Sequence, residues 1–308
     1  MTENRRIHRL TIGTAQLGMA YGVANVTGKP SRAGALAVVD TALARGITAF
    51  DTAQDYGECE SLLGDLWADL GELRTRGITV VTKLGRAVDV RDPSAVRRAS
   101  AESARRLRRR PSAILLHHPQ HVDAALDGSW STLEWLGDVV EADAVGVSTY
   151  TPHQFAQAVD DPRVGVIQAP LNILDQRLIR TGLLSWAERR GKRVFIRSVF
   201  LQGLLVLSAA ALPEHMVFAR PFLQRVAGIC ADHGCEVKAA ALAFALLNSR
   251  SAEVIIGCET PAQLAENVEL VQSVDEFAPV VEDLRQLEIP PDRVLDPRQW
   301  TAGPSSSS

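Results

Sequence analysis

The sequence predicts an α/β protein built as a (β/α)8 TIM barrel with an additional C-terminal helix. Three observations carry that expectation. A short β-branched run, a turn and an amphipathic stretch recur from end to end, as strands joined by right-handed crossovers do. About eight such units can be counted, the number that closes a barrel. The runs ILLH, VVTKL and VIIGC are apolar throughout, as strands covered on both faces are.

The units follow one another plainly. RLTIGTA precedes the helical SRAGALAVVDTALARG, whose ends are marked by Ser31 as cap and by Gly46. ITAFDTA leads to a helix from about Glu58 to Leu70, and ITVVTKL to PSAVRRASAESARRLRRR. AILLHH is followed by STLEWLGDVVEA, and AVGVSTY by TPHQFAQAVDD. VGVIQAPLN precedes LLSWAERRG, VFIRSVF a long loop and RPFLQRVAGICADHG, and EVIIGC precedes TPAQLAENVELV. KAAALAFALLNSR is an extra apolar helix and VDEFAPVVEDLRQLE a C-terminal one. An open doubly wound sheet would carry a glycine-rich phosphate turn after its first strand, and GTAQLGMAYG lacks that spacing. No Pro/Gly-rich linker divides the chain, so residues 1–300 read as one barrel domain and TAGPSSSS, residues 301–308, as a disordered tail.

Composition excludes several classes. A net charge of -3 offers no strong field for nucleic acid or a membrane surface. No apolar run reaches membrane-spanning length, and MTENRRIHRL lacks the apolar stretch of a signal peptide. Cys59, Cys230, Cys235 and Cys258 are sparse and irregular, which reads as reduced thiols and places the chain in the cytoplasm. The arginine-rich 105–110 suits the C-terminus of a helix dipole. His117 and His118 are neighbours on a strand end and should face opposite ways, so with His121 they make a poor metal site, and none is expected.

In a parallel barrel the reacting groups sit at the C-terminal ends of strands. Consecutive strands here end in Asp51, Lys83 and His117, and buried ionisable groups are costly unless paired, so the three point to one convergent site. Tyr56 follows Asp51 closely. A phenol donates poorly at neutral pH, but a nearby ammonium lowers its pKa; Lys83 would do this, with Asp51 orienting Lys83 and His117 aligning a substrate carbonyl. Such a tyrosine protonates an alkoxide as hydride arrives, and the hydride must come from a cofactor. Gln16 and Tyr21 lie in the first loop and are expected, with His118, to touch substrate.

Taken together, GTAQLG, FDTAQDYGECE, VTKL, LLHHP, GVSTY, IQAPLN, RSVFLQGLL and IIGCETPAQLAEN resemble the aldo-keto reductase family, from about Leu10 to Val271. The resemblance implies a catalytic tetrad of Asp51, Tyr56, Lys83 and His117, an NADP or NAD cofactor and a small carbonyl or sugar substrate. It implies cofactor contacts at Gly13, Thr14, Ser148, Thr149, Gln168, Arg197, Ser198, Gly257, Glu259, Gln263, Glu266 and Asn267. Two positions and one stretch depart from the family pattern. Thr149 replaces a common Asn, and Arg197 replaces an aromatic that stacks on nicotinamide. The stretch 257–263 has no cation for a 2′-phosphate, and its Glu259 would repel one, which leans the reading from the family's NADP toward NAD. Ala15 stands where many relatives have a bulky aromatic, which suits a broader pocket. Two rival readings are a nucleotide-binding, redox-sensing subunit without catalysis and an aldolase with Lys83 as its Schiff base.

Overall fold

The computed structural model describes residues 6–300, so the expected tail at 301–308 lies outside the described residues. Eight parallel strands close into a barrel in chain order: β1 (Leu10–Gly13), β2 (Ala49–Asp51), β3 (Thr79–Lys83), β4 (Ala113–Leu116), β5 (Val145–Ser148), β6 (Val166–Pro170), β7 (Arg193–Arg197) and β8 (Glu253–Gly257). β8 returns to β1 in the register Gly13↔Gly257, and Gly13 also pairs with Asp51 of β2.

The two-residue period of a strand decides what each side chain does. Leu10, Ile12, Phe50, Val80, Ile114, Leu116, Ile167, Ile196, Val254 and Ile256 point outward into the main core beneath the helices. Val81, Ala113, Leu115, Val166, Phe195 and Ile255 point inward and form a separate cluster that fills the barrel. Two residues further along each strand, the same inward phase reaches the C-terminal rim. The residues there are Asp51, Lys83, His117, Ser148, Gln168, Arg197 and the glycines Gly13 and Gly257. The barrel thus ends in a polar layer above a dry one.

Each crossover is helical. The longer helices are α1 (Arg32–Ala44), α2 (Cys59–Leu70), α3 (Pro93–Leu107), α4 (Pro119–Leu126), α5 (Thr132–Val139), α6 (Pro152–Asp160), α7 (Leu183–Arg189), α8 (Arg220–Asp232), α9 (Val237–Leu247), α10 (Pro261–Gln272) and α11 (Ala278–Leu284). Their starts are chemically marked. Ser31 accepts from Gly34 N, Asp92 from Ser94 N, Thr260 from Gln263 N, and Thr151 forms a reciprocal capping box with Gln154. α1 ends before Gly46, whose φ of 81° is the left-handed conformation in which glycine escapes a Cβ clash. α9 is the expected extra apolar helix, with Ala239 through Leu246 all buried. Below it Arg9 plugs the N-terminal end of the barrel, donating to the carbonyls of Leu246, Ser249 and Ala252 and to Ser249 Oγ.

Two expectations change. A helix not read from the sequence, α4, begins immediately after His118, with Pro119 in its first turn where the missing N–H costs nothing. The expected C-terminal helix over 274–288 is broken: a 3-10 turn, Val274–Phe277, precedes α11, which starts at Ala278 with Pro279 beside it. Beyond α11 the chain folds back, and Trp300 is buried with its indole N–H on Arg293 O. No helix of the described residues is long and apolar enough to cross a membrane.

Candidate active site

A cavity of about 760 Å³ opens at the C-terminal end of the barrel. Of the residues expected at the site, Gly13, Thr14, Gln16, Tyr21, Asp51, Tyr56, His117, His118, Gln168, Arg197, Ser198, Gly257, Glu259, Gln263 and Asn267 line it. Lys83, Ser148, Thr149 and Glu266 do not. Ser148 is fully buried with its hydroxyl directed at Gln168 Oε1, and Thr149 Oγ1 donates to Gln168 O.

Lys83 is fully buried, and its ammonium meets three acceptors at 2.8 Å: both oxygens of Asp51 and the carbonyl of Thr52. An ammonium has three protons to give, so this set saturates it. Gln168 Nε2 donates to Asp51 Oδ1 at 2.7 Å and ties β6 into the same network. Lys83 Nζ also lies 4.9 Å from the centre of the Tyr56 ring, within cation–π range. The Tyr56 hydroxyl has no hydrogen-bond partner among the described residues.

The phenol does not behave as the sequence reading expected. Burial pushes the Tyr56 hydroxyl well above its ordinary value of 10, the Asp51 carboxylate pushes the same way, and Arg197 opposes them. Lys83 fails to lower it because Asp51 neutralises the ammonium at contact. Tyr56 is therefore protonated throughout the neutral range. The His117 imidazole is pushed down to about 2, first by burial and then by the charges of Lys83 and Arg197, so it is neutral. Its ring stands nearly perpendicular to that of Tyr56, with centroids 6.5 Å apart.

His118 corrects a second expectation. β4 ends at Leu116 and His118 caps α4, so strand alternation no longer applies and His117 and His118 line one cavity with rings 5.8 Å apart. His118 Nε2 lies 3.1 Å from Asp55 Oδ2. Gly257 packs directly against the Gln16 amide, which a Cβ there would push aside. The loop after β7 is held in left-handed backbone at Ser198, Leu201 and Gln202, with φ of 62°, 47° and 55°, and such strain persists only where the surroundings enforce it.

Several residues escaped the sequence reading. Tyr150 donates to His117 O at 2.9 Å and its hydroxyl lies 3.5 Å from His117 Nδ1, fixing the imidazole from behind. Its place at the end of GVSTY was the available signal. The Tyr150 ring carries the Arg197 guanidinium at 4.8 Å and that of Arg298, from the C-terminal segment, at 4.0 Å. At the other end of the cavity, Lys238 of α9 stands with Glu259, Gln263 and Asn267 and is paired with Glu266 Oε2 at 2.6 Å. No sequence signal placed Lys238 there, because the packing of α9 against α10 does so.

The cavity fits a dinucleotide on two counts of unmet polarity. Arg197 Nε, in the wall it shares with Tyr56 and His117, and Asn267 Oδ1, beside Glu259, are both buried without a hydrogen-bond partner. Six other buried polar atoms of the described residues also lack a partner, but none of them belongs to a residue that lines the cavity, so these two are the ones placed to meet a ligand there.

Residues 9–284 match the profile of the Aldo/keto reductase family. The chain belongs to that family. Among its relatives, a D-threo-aldose 1-dehydrogenase from a Pseudomonas species is 29% identical, covering 83% of this chain and 90% of the relative. An L-galactose dehydrogenase from Arabidopsis thaliana is 25% identical over 97% and 94% of the two chains. A pyridoxal 4-dehydrogenase from Microbacterium luteolum is 27% identical over 84% and 88%. The holo form of an aldo-keto reductase from Bacillus halodurans superposes with a TM-score of 0.68 at 20% identity, over 90% of this chain and 91% of that one. Membership in the aldo/keto reductases makes NAD(P)-dependent interconversion of carbonyl and alcohol this chain's class of chemistry.

Proposed function

We propose that this aldo/keto reductase interconverts a sugar or related polar carbonyl and its alcohol, with Tyr56 as the acid and base. The observation that carries this reading is the convergence of Tyr56, His117 and the saturated Lys83–Asp51 pair at one end of a dinucleotide-sized cavity. A bound NAD(P)H supplies the hydride. Tyr56, protonated because burial disfavours its anion, gives its proton to the carbonyl oxygen. His117, neutral and braced by Tyr150, offers an N–H to the same oxygen. When the proton has left, the phenolate faces the Arg197 guanidinium, which stabilises it, while the Lys83 ammonium is already neutralised by Asp51. In the reverse direction Tyr56 must first ionise, so oxidation calls for higher pH than reduction does.

Around Tyr56 the wall is polar, with Gln16, Tyr21, His118 and Arg197, and Ala15 adds little bulk. Hydrogen-bonding groups around an open pocket suit a polyhydroxyl substrate, and two of the relatives named above are sugar dehydrogenases. For the cofactor, Asn267 and Gln263 would meet the adenosine end. There Glu259 faces the cavity while Lys238 is already paired with Glu266, which leaves one carboxylate in excess and favours NADH over its 2′-phosphorylated form. The buried, fully bonded Lys83 amine is unsuited to attack a carbonyl, which speaks against the aldolase reading.

The test is turnover with a panel of aldoses and simple aldehydes, using NADH and NADPH in parallel and following nicotinamide absorbance. Turnover with sugars, faster with NADH, is expected. Tight dinucleotide binding with no turnover of any carbonyl would instead favour the redox-sensing subunit.

A further inference from the structure

We propose that Arg197 makes the site select the reduced dinucleotide, whose nicotinamide ring is uncharged, over the oxidised one, whose ring is a cation. The inference rests on NAD(P) chemistry in this cavity. Its starting point is an unpaired charge. Three other cations of the same cavity each have a carboxylate: Arg177 has Asp175 at 2.7 Å, Lys238 has Glu266 at 2.6 Å and Arg298 has Asp296 at 2.7 Å, while Arg86, which has none among the described residues, is exposed to solvent. Arg197 has none within salt-bridge distance among the described residues. Its partners are neutral: Nη2 donates to Thr149 O at 2.9 Å, Nη1 to Ser198 Oγ at 3.2 Å, and Cζ lies 4.8 Å over the Tyr150 ring.

The charge is also fixed in place. Two hydrogen bonds, a stacked ring and the left-handed backbone of Ser198 next to it leave the guanidinium little freedom to swing into solvent. Hydride transfer requires the nicotinamide carbon to lie about 3–3.5 Å from the carbonyl carbon, and Tyr56 and His117 fix where that carbonyl is. Arg197 lines the same wall, and its charge is felt at both residues. The ring and the guanidinium are therefore near neighbours. At an effective dielectric of about 20 and a separation of roughly 6–7 Å, two like charges repel enough to change an affinity at least about tenfold. An uncharged ring feels no such penalty and can stack on the guanidinium plane.

The experiment measures dissociation constants of NADH, NAD⁺, NADPH and NADP⁺ by quenching of tryptophan fluorescence in the full-length protein. It compares the unmodified chain with Arg197→Gln, which keeps a donor without the charge, and with Arg197→Lys, which keeps the charge. The reduced form should bind at least about tenfold more tightly than the oxidised form. Arg197→Gln should shrink that ratio about tenfold, mainly by tightening the oxidised form, and Arg197→Lys should preserve it. If the Gln variant does not fold, Arg197→Met, which keeps the stem on Tyr150, gives the same reading. An unchanged ratio, as expected if Arg197 serves a substrate anion instead, overturns the proposal. Equal weakening of both forms also overturns it, showing that Arg197 only shapes the pocket. Failure of the unmodified chain to bind any dinucleotide sinks the cofactor assignment itself, a different result from a flat ratio.

Discussion

Replacing Asp51 by Asn leaves the Lys83 ammonium buried with no counter-charge. Lys83 is fully buried and Asp51 only 4% exposed, so solvent cannot substitute for the missing carboxylate. Removing one partner of such a pair destabilises by about 3–5 kcal/mol. A chain of 308 residues unfolds with an entropy near 0.6 kcal/mol/K, at roughly 2 cal/mol/K per residue. The expected fall in Tm is therefore about 5–8 °C. Lys83→Met should be similarly harmful, since Asp51 would retain only Gln168 and its backbone surroundings. The double variant Asp51→Asn/Lys83→Met buries no charge at all. It should lose far less than the sum of the singles, leaving a coupling of about 3 kcal/mol. Urea and thermal unfolding of the four proteins measure this cycle directly. Additivity to within about 0.5 kcal/mol would show that the two groups are not a buried pair.

Three further outcomes are expected. His117 is neutral when folded and titrates near 6.5 when unfolded, so the unfolded state binds the extra proton as pH falls. Stability should drop by up to about 1.4 kcal/mol per pH unit from 6.5 downward, and His117→Gln should flatten that slope in urea midpoints measured at successive pH values. Glu259→Gln should tighten NADPH relative to NADH, and Lys238→Met should weaken NADPH selectively, each by several-fold in fluorescence titration. Arg9→Met strands the carbonyls of Leu246, Ser249 and Ala252 that Arg9 now bonds, and should lower stability by at least about 3 kcal/mol in urea unfolding.

The barrel was legible because each unit states its period in the sequence. VVTKL and ILLH run apolar on both faces, and the crossover helices open on Ser31, Asp92, Thr151 and Thr260, each with its cap bond. The site was legible for the same reason: the inward phase that buries Val81 and Leu115 must, two residues later, bring Lys83 and His117 to the rim, where His117 lines the cavity and Lys83 lies buried beneath it. What escaped depends on packing between distant segments. Lys238 reaches the cavity because α9 lies beside α10, and Arg298 because the chain turns back after α11. α4 was missed because PQHVDAAL is too short to show a helical period. The direction of the Tyr56 shift was misjudged because the sequence reading paired Asp51 with Lys83 yet still credited the ammonium with lowering the phenol, and left out the burial that dominates the shift.

The most direct measurement is single-turnover oxidation of bound NADH by a reducible sugar, in the unmodified chain and in Tyr56→Phe, across the neutral and alkaline range. Loss of about 10²–10⁴-fold in the Phe variant is expected, with affinity for the dinucleotide unchanged. The parent rate should stay flat through neutrality, because the phenol keeps its proton there. A Phe variant that turns over at the parent rate, or a parent rate that climbs steadily as pH rises through neutrality, would contradict the role given to the buried tyrosine.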